Sequence, residues 1–296
     1  MKILVTGGTG FVGPKVVHAL RAEGHEVRAL VRRPERGRQL ATWGCELAVG
    51  DVTTPETLPL ALAGCTHVVH LVAIIRGRPA DFRRVMVEGT RNLVAAARDT
   101  GVSRFVLMSA LGTSDATKDS VPYFGAKWEM ERDVRASGLE HVIFRPSFVF
   151  GRDGGVLPTF VRQVRLSPVV TVIGDGRQRL QPVWVDDVAA YFTRGVTLPA
   201  AANRTFELGG PDRVTWDELY ERVAKVLRKR RRIVHVPAEL ARTGASLTEW
   251  LPGSPLSADQ VSMLEGPDNV VSDTSAVETF GLPLVPLDEQ IRRAAA

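Results

Sequence analysis

The stretch Thr6-Gly7-Gly8-Thr9-Gly10-Phe11-Val12-Gly13 constrains this chain more than any other. It follows the apolar run Ile3-Leu4-Val5 and precedes Val16-Val17-x-x-Leu20, whose spacing puts three apolar side chains on one face of a helix that Gly24 stops. Glycines between a strand and a helix tighten the turn, let the backbone approach a pyrophosphate and let the helix pack close to the strand. The helix N-terminus adds unpaired N–H groups and the positive end of its dipole, so the turn is a ready site for a phosphorylated ligand.

The chain after this turn keeps the same rhythm. Short apolar runs at Val27–Val31, Glu46–Val49, His67–Val72, Phe105–Met108 and Val142–Phe144 alternate with amphipathic segments, among them Leu93–Ala97, which ends at Gly101. Such alternation predicts parallel strands with helices on both faces. From Gly151 the pattern changes to a Gly-Arg-Asp-Gly-Gly loop, a helix, Val169–Ile173, the turn Gly174-Asp175-Gly176 and then charged helices. The expected organisation is a dinucleotide-binding domain over residues 1–150 and a smaller α+β substrate lobe over 151–296, with one segment near 170–200 returning to the first domain. Pro252 to Pro255 reads as an ordinary loop.

Composition narrows the setting. At 296 residues the chain can bury a large core. Its longest uncharged apolar-rich stretch, His67 to Ile75, is far short of the ~18 to 20 residues a bilayer span requires. Met1-Lys2 runs straight into the first strand without a signal-peptide pattern, which points to the cytoplasm. Cys45 and Cys65 each precede a predicted strand, and two other strands would separate them, too far for a disulfide. The formal net charge is +5, with basic clusters at Arg32-Arg33-x-x-Arg36-x-Arg38 and Arg228 to Arg232. The second reads as a helix C-terminus whose charges suit the dipole. Without interleaved aromatic residues or a DNA-binding motif it does not predict a nucleic-acid partner, while peripheral contact with a membrane stays open.

The end of the second strand bears on the cofactor. An NAD site usually places a carboxylate ~20 residues after the glycine turn, whereas a 2′-phosphate is met by arginine. Arg32 and Arg33 stand there, so NADP(H) is expected over NAD(H). Asp51 and Val52, after the third strand, are placed for the adenine edge. Leu71, Val72 and Ala73, after the fourth, are placed for pyrophosphate and ribose.

Tyr123-Phe-Gly-Ala-Lys127 sets a phenol and an ammonium one helical turn apart on one face. A nearby cation is expected to lower the phenol's pKa and fit it for proton transfer. With the glycine turn, Asp51-Val52, Arg145-Pro146-Ser147 and Trp184 to Val188, this pair makes the chain resemble the extended and atypical short-chain dehydrogenase/reductase superfamily over nearly its whole length. Narrower landmarks are Ser109 to Gly112, Gly174 to Asp187 and Asp259-Gln260-x-x-x-Leu264-x-x-x-Asp268-Asn269-Val270-Val271. These look like bacterial relatives of the nucleotide-binding accessory subunit of respiratory complex I. The resemblance implies a Rossmann doubly wound parallel sheet and NADP(H) in the first lobe. It also implies Lys127 on the nicotinamide ribose, a nicotinamide pocket near Pro146, Ser147 and Phe148, and a link to quinone or respiratory metabolism. Its catalytic set would be Tyr123, Lys127 and a hydroxyl. Ala110 stands where that hydroxyl usually aligns, with Ser109 adjacent and Thr113 further on. Arg179 is one residue out of step with the arginine that meets nucleotide-sugar phosphates in sugar epimerases, where Leu180 aligns, which counts against such a substrate.

Other chemistries find little support. The histidines and cysteines show no metal-ligand spacing, so no metal site is expected. Asp186-Asp187 reads as the acidic first turn of a helix. No Gly-x-Ser-x-Gly elbow occurs, which leaves hydrolase chemistry without a nucleophile. Two readings follow: an NADPH-dependent oxidoreductase acting on a small carbonyl- or quinone-type substrate, or a non-catalytic protein that holds the dinucleotide as a structural or sensing ligand.

Overall fold

The computed structural model describes residues 1–248, 259, 261–262 and 266–296. The loop Pro252 to Pro255 and the motif positions Gln260 and Leu264 lie outside these. The first part of the chain alternates strand and helix: β1 Lys2–Thr6, α1 Gly13–Ala22, β2 Glu26–Val31, α2 Arg38–Thr42, β3 Glu46–Val49, α3 Leu58–Leu62, β4 His67–His70 and α4 Pro79–Phe82. A π-helical turn, Arg83–Glu88, leads into α5 Gly89–Asp99, followed by β5 Arg104–Met108, α6 Pro122–Arg135 and β6 Glu140–Pro146. Then come β7 Val149–Phe150, α7 Leu157–Leu166, β8 Val169–Ile173, β9 Arg179–Leu180, β10 Val183–Trp184, α8 Val185–Thr197 and β11 Arg204–Leu208. The described elements close with β12 Val214–Thr215, α9 Trp216–Val226, β13 Arg232–Val236, α10 Ala238–Thr248, α11 Ser275–Phe280 and α12 Leu287–Ala295.

The chain forms two compact units, Met1–Pro146 with Val185–Leu208 and Asp273–Pro283, and Ser147–Trp184 with Gly209–Ser272 and Leu284–Ala296. The first holds a parallel seven-stranded sheet in the order β11-β6-β5-β4-β1-β2-β3. Its strands are near-continuous apolar runs because helices cover both faces. Leu4, Val68, Phe105 and Ile143 share one core with Leu58 of α3, Leu93 and Ala97 of α5, and Met130 and Val134 of α6. On α1, Val16, Val17 and Leu20 are fully buried, the face their spacing predicts. Cys45 and Cys65 are buried free thiols ahead of β3 and β4, with β2 and β1 between those strands.

The sequence reading divides the chain at residue 150, with a return near 170–200. In the first unit the later segments are residues 185–208 and 273–283, and packing explains their place. The helix α8 lies on α1, and β11 adds to the sheet edge beside β6. Phe144 gathers Phe192, Phe206 and Phe280 around its ring at centroid distances of 4.9, 5.9 and 5.6 Å. Gly195 is required there, since a Cβ would stand 2.7 Å from the Phe144 ring. Buried Arg104 then donates to the carbonyls of Gly195, Val196 and Leu198, a cation satisfying the C-terminal end of α8.

The second unit is built from small pairings: β7 with β10, β9 with β12 and β8 with β13, with α7, α9 and α12 packed on one another. Capping by Thr215, whose Oγ1 accepts from the Glu218 amide, starts α9. The basic run Arg228 to Arg232 follows α9 rather than ending it: the helix stops at Val226, and Arg232 already opens β13.

Candidate cofactor site and the Tyr123–Lys127 face

The strand order reverses between β1 and β4, and a ligand crevice in such a sheet opens beyond the carboxyl ends of the strands at that point. A cleft of about 300 Å³ lies there within the first unit. Thr6, Gly7, Thr9 and Gly10 line it together with Asp51, Val52, Thr53 and Leu71 to Ile74. Arg32, Arg36 and Arg84 also line it.

The glycines act in different ways. Gly7 has φ +76°, and a Cβ on it would meet the Leu71 carbonyl carbon at 2.8 Å, so the turn rests directly on the backbone that follows β4. A Cβ on Gly13 would stand 2.2 Å from the Gly7 oxygen, which ties the start of α1 to the turn. Gly10 differs: its only close neighbour would be the Gly7 oxygen at 3.3 Å, and the remaining space belongs to the cleft. That open cradle, beside a helix with no side-chain cap, fits a pyrophosphate. Phe11, Val12 and Gly13 carry the turn into α1 and do not line the cleft, with Val12 and Gly13 buried.

After β3, Asp51 Oδ1 accepts from the Thr53 amide at 2.9 Å, and the Val52 carbonyl accepts from Asn92 at 3.0 Å. The first bond fixes the Asp51 side chain and the second the Val52 backbone. Arg32 is exposed, with Nε 4.0 Å from Asp51 Oδ2, whereas Arg33 is exposed outside the cleft lining. Arg36 and Arg84 reach the cleft although the sequence reading assigned neither to the site. The basic cluster held a signal for Arg36. Arg84 had none, because it is delivered by the π-helical turn, a distortion no local pattern announced.

Tyr123, Lys127 and Glu131 lie at successive turns on one face of α6. The Lys127 Nζ donates to the Met108 carbonyl at 2.7 Å and stands 5.8 Å from the Tyr123 ring centroid. The link to Met108 fixes Lys127 at the carboxyl end of β5. Burial pushes its pKa down to about 7, partly opposed by the Glu131 charge. Burial also pushes the Tyr123 phenol up to about 12, which corrects the expectation that the neighbouring cation lowers it. The reason is physical: Lys127 is buried and Tyr123 is half-buried against the core beside α6, so desolvation disfavours each charged form. His70, at the end of β4, is held neutral, its pKa lowered to about 3 by burial and then by the Lys127 charge. It bridges Thr6 Oγ1 at 2.6 Å and Thr90 Oγ1 at 3.0 Å.

Ser109 is buried, and its hydroxyl donates to Glu131 Oε1 at 2.5 Å. Arg145 binds the same carboxylate through two nitrogens at 2.8 and 2.7 Å, and Arg135 adds a contact at 2.7 Å. Burial alone would raise the Glu131 pKa, but the hydrogen bonds and charge of Arg145, with Ser109 and Arg135, hold it below the usual range. The structure thus brings Tyr123 and Lys127 together and commits Ser109 to Glu131. Sequence reasoning did not name Glu131, though its spacing four residues after Lys127 carried the signal.

Pro146 ends β6, and its carbonyl accepts from the Leu111 amide at 2.9 Å. In the second unit, Ser147 donates to Asn269 Oδ1 at 2.6 Å, and Phe148 packs edge-on against Trp216 at 5.5 Å. Arg179 is paired to Asp268, with Nε to Oδ2 at 2.7 Å. Among the described residues no cluster of three or more His, Cys, Asp or Glu could hold a metal ion, and no helix is long and apolar enough to cross a membrane.

A doubly wound parallel sheet with a glycine-turn cleft at its switch point defines a dinucleotide-binding protein. Residues 7–162 match the NAD(P)H-binding family. The chain belongs to this family, within the extended short-chain dehydrogenase/reductase superfamily. It is 30% identical over 84% of its length to a ceramide reductase of Caulobacter vibrioides, covering 78% of that protein. It is 28% identical over 81% of its length to the photosystem II assembly factor Ycf39 of Guillardia theta, covering 74% of it. It is also 27% identical over 95% of its length to the Arabidopsis thaliana mitochondrial NADH dehydrogenase [ubiquinone] 1 alpha subcomplex subunit 9, covering 73% of it. Among solved structures, gox2253 superposes with a TM-score of 0.79 at 25% identity, covering 99% of this chain and 96% of that one.

Two predictions arise from this geometry. Gly10→Ala should leave cooperative melting close to wild type and abolish most NAD(P)H binding in titration calorimetry, because its Cβ enters the cradle. Gly13→Ala should instead lower the melting temperature, and equal behaviour of the two variants would count against the assignment.

The second concerns Lys127. Between the folded pKa of about 7 and the unfolded value near 10.5, the unfolded chain carries the extra proton. Stability therefore rises with pH across that window, and the cost of the buried charge is greatest below it. Measured by urea unfolding, the stability of the wild type relative to Lys127→Met should increase from pH 7 to pH 10. A pH-independent difference would show that the ammonium is not desolvated.

Proposed function

We propose that this protein is an NADPH-dependent oxidoreductase that reduces a small carbonyl- or quinone-type substrate. The observation that carries the reading is the Tyr123–Lys127 pair, fixed by the Met108 carbonyl at the carboxyl end of β5, the same edge of the sheet on which the cleft opens. Similarity to a protein named as a reductase supports it.

When bound, the nicotinamide supplies the hydride. Lys127 would hold the nicotinamide ribose, and its pKa of about 7 lets it lend positive charge near neutrality. Tyr123 keeps its proton at neutral pH, with a pKa of about 12, and so suits the direction in which it gives that proton to an oxygen gaining negative charge. Glu131, saturated by Arg145, Arg135 and Ser109, keeps α6 in register with β5 and β6.

Preference for the phosphorylated cofactor is supported by three arginines on the cleft. Arg32, which lines the cleft after β2, is the residue we assign to the 2′-phosphate, and a charge-assisted pair of this kind contributes about 1.5 to 3 kcal/mol. Arg32→Ala should therefore weaken NADPH roughly ten- to a hundredfold while changing NADH little. Equal loss for both, by titration calorimetry, would remove the basis for selectivity.

The second reading, a non-catalytic dinucleotide-binding protein, is favoured by Ala110, which has no hydroxyl, and by Ser109, whose hydroxyl is bound to Glu131. Two similar proteins are named as a photosystem II assembly factor and as a subunit of a mitochondrial NADH dehydrogenase. Tyr123→Phe separates the readings. It keeps the ring and leaves Lys127 in place, so NADPH affinity should stay within about threefold. Turnover should fall ~10²- to 10⁴-fold. Stopped-flow loss of NADPH absorbance against quinones and carbonyls measures this. A wild type that oxidises NADPH with none of them and releases its nucleotide only on denaturation supports the binding protein instead.

A further inference from the structure

The basic run Arg228 to Arg232 has no part in the cofactor cleft. It fills the turn between α9 and β13 in the second unit, where Arg228 takes a left-handed conformation, φ 53°. Arg231 Nε donates to the Val164 carbonyl at 2.6 Å and its Nη2 to that of Arg165 at 3.4 Å, which binds the run to the last turn of α7. Leu166 ends that helix 73% exposed, and Val169, 38% exposed, pairs in register with Arg232. Leu166 thus stands in water beside the arginine run, while the alternation of β8 turns Val169 to the face opposite Val170.

The run also lines a pocket of about 280 Å³. Val170 and Ile233 supply apolar lining, and Lys225, Lys229, Arg230 and Arg231 supply four positive charges against the one carboxylate of Glu221. We propose that this face docks on an anionic phospholipid bilayer, with the phosphate headgroups meeting the pocket cations and Leu166, at the end of α7, entering the acyl boundary. Aliphatic groups beside a dense cationic cluster are the pattern of an interfacial membrane contact. A single-stranded nucleic acid would be met by exposed aromatic rings for stacking. The aromatic residue at this pocket, Tyr220, is instead buried, with its hydroxyl donating to Gln163 at 2.9 Å.

Co-sedimentation of the full chain with vesicles tests this, comparing phosphatidylcholine alone with phosphatidylcholine containing one third phosphatidylglycerol. The chain should bind only the anionic vesicles and lose binding as salt is raised. Each cation removed should lower partitioning about fivefold, so Arg230→Ala loses about fivefold and the Lys229→Ala/Arg230→Ala pair about 25-fold. Leu166→Ser should weaken binding without altering its salt dependence. These side chains are exposed, so melting temperature and NADPH affinity should match the wild type. Failure to bind anionic vesicles, equal binding to neutral ones, indifference to the double substitution, or tighter binding of poly(A) RNA would each overturn the proposal.

Discussion

The first unit is organised by a backbone-on-backbone contact at the top of its sheet. Gly7 rests against the peptide that follows β4, at a distance no side chain would allow. Gly13 in turn holds α1 against Gly7 and Gly8. Because β1 and β4 are neighbours with their connections running to opposite sides, this contact sits where the sheet parts. The cleft and the outward-facing end of α1 follow from it, and the cradle at Gly10 is the space it leaves.

A different balance governs α6. A lysine and a glutamate four residues apart are both buried, and the structure treats them unequally. Glu131 receives two arginines and a serine, enough to offset the loss of water. Lys127 receives one carbonyl, so its charge is only marginally held. The face of the helix thereby carries a fixed anion at one end and a cation poised near neutrality in the middle. Breaking the Glu131 cluster would leave an uncompensated buried charge, a heavier penalty than losing any surface ion pair.

How the site reads from sequence depends on whether a residue acts through its neighbours in the chain or through distant ones. The positions of the glycine turn, Asp51-Val52, Leu71 to Ala73 and the Tyr123/Lys127 pair follow from the sequence because each is tied to the end of a strand or to helical spacing. That of Arg84 does not, since a π-helical turn carries it to the cleft. The role of Ser109 does not either: its partner lies 22 residues away, on another element. The sign of the Tyr123 shift differs from the expectation because a sequence shows a nearby cation but not the desolvation of the phenol.

By itself, then, the sequence determined the doubly wound parallel sheet, the dinucleotide turn and the proximity of phenol and ammonium. Those features are written in periods of two and 3.6 residues and in where glycine can stand. Tertiary structure decided the rest. It brought residues 185–208 and 273–283 back to the first unit, where Phe280 and Phe206 enclose Phe144. It also set the charge states on α6. Burial, desolvation and contacts between distant segments depend on what surrounds a side chain in space, and local periodicity carries no record of that.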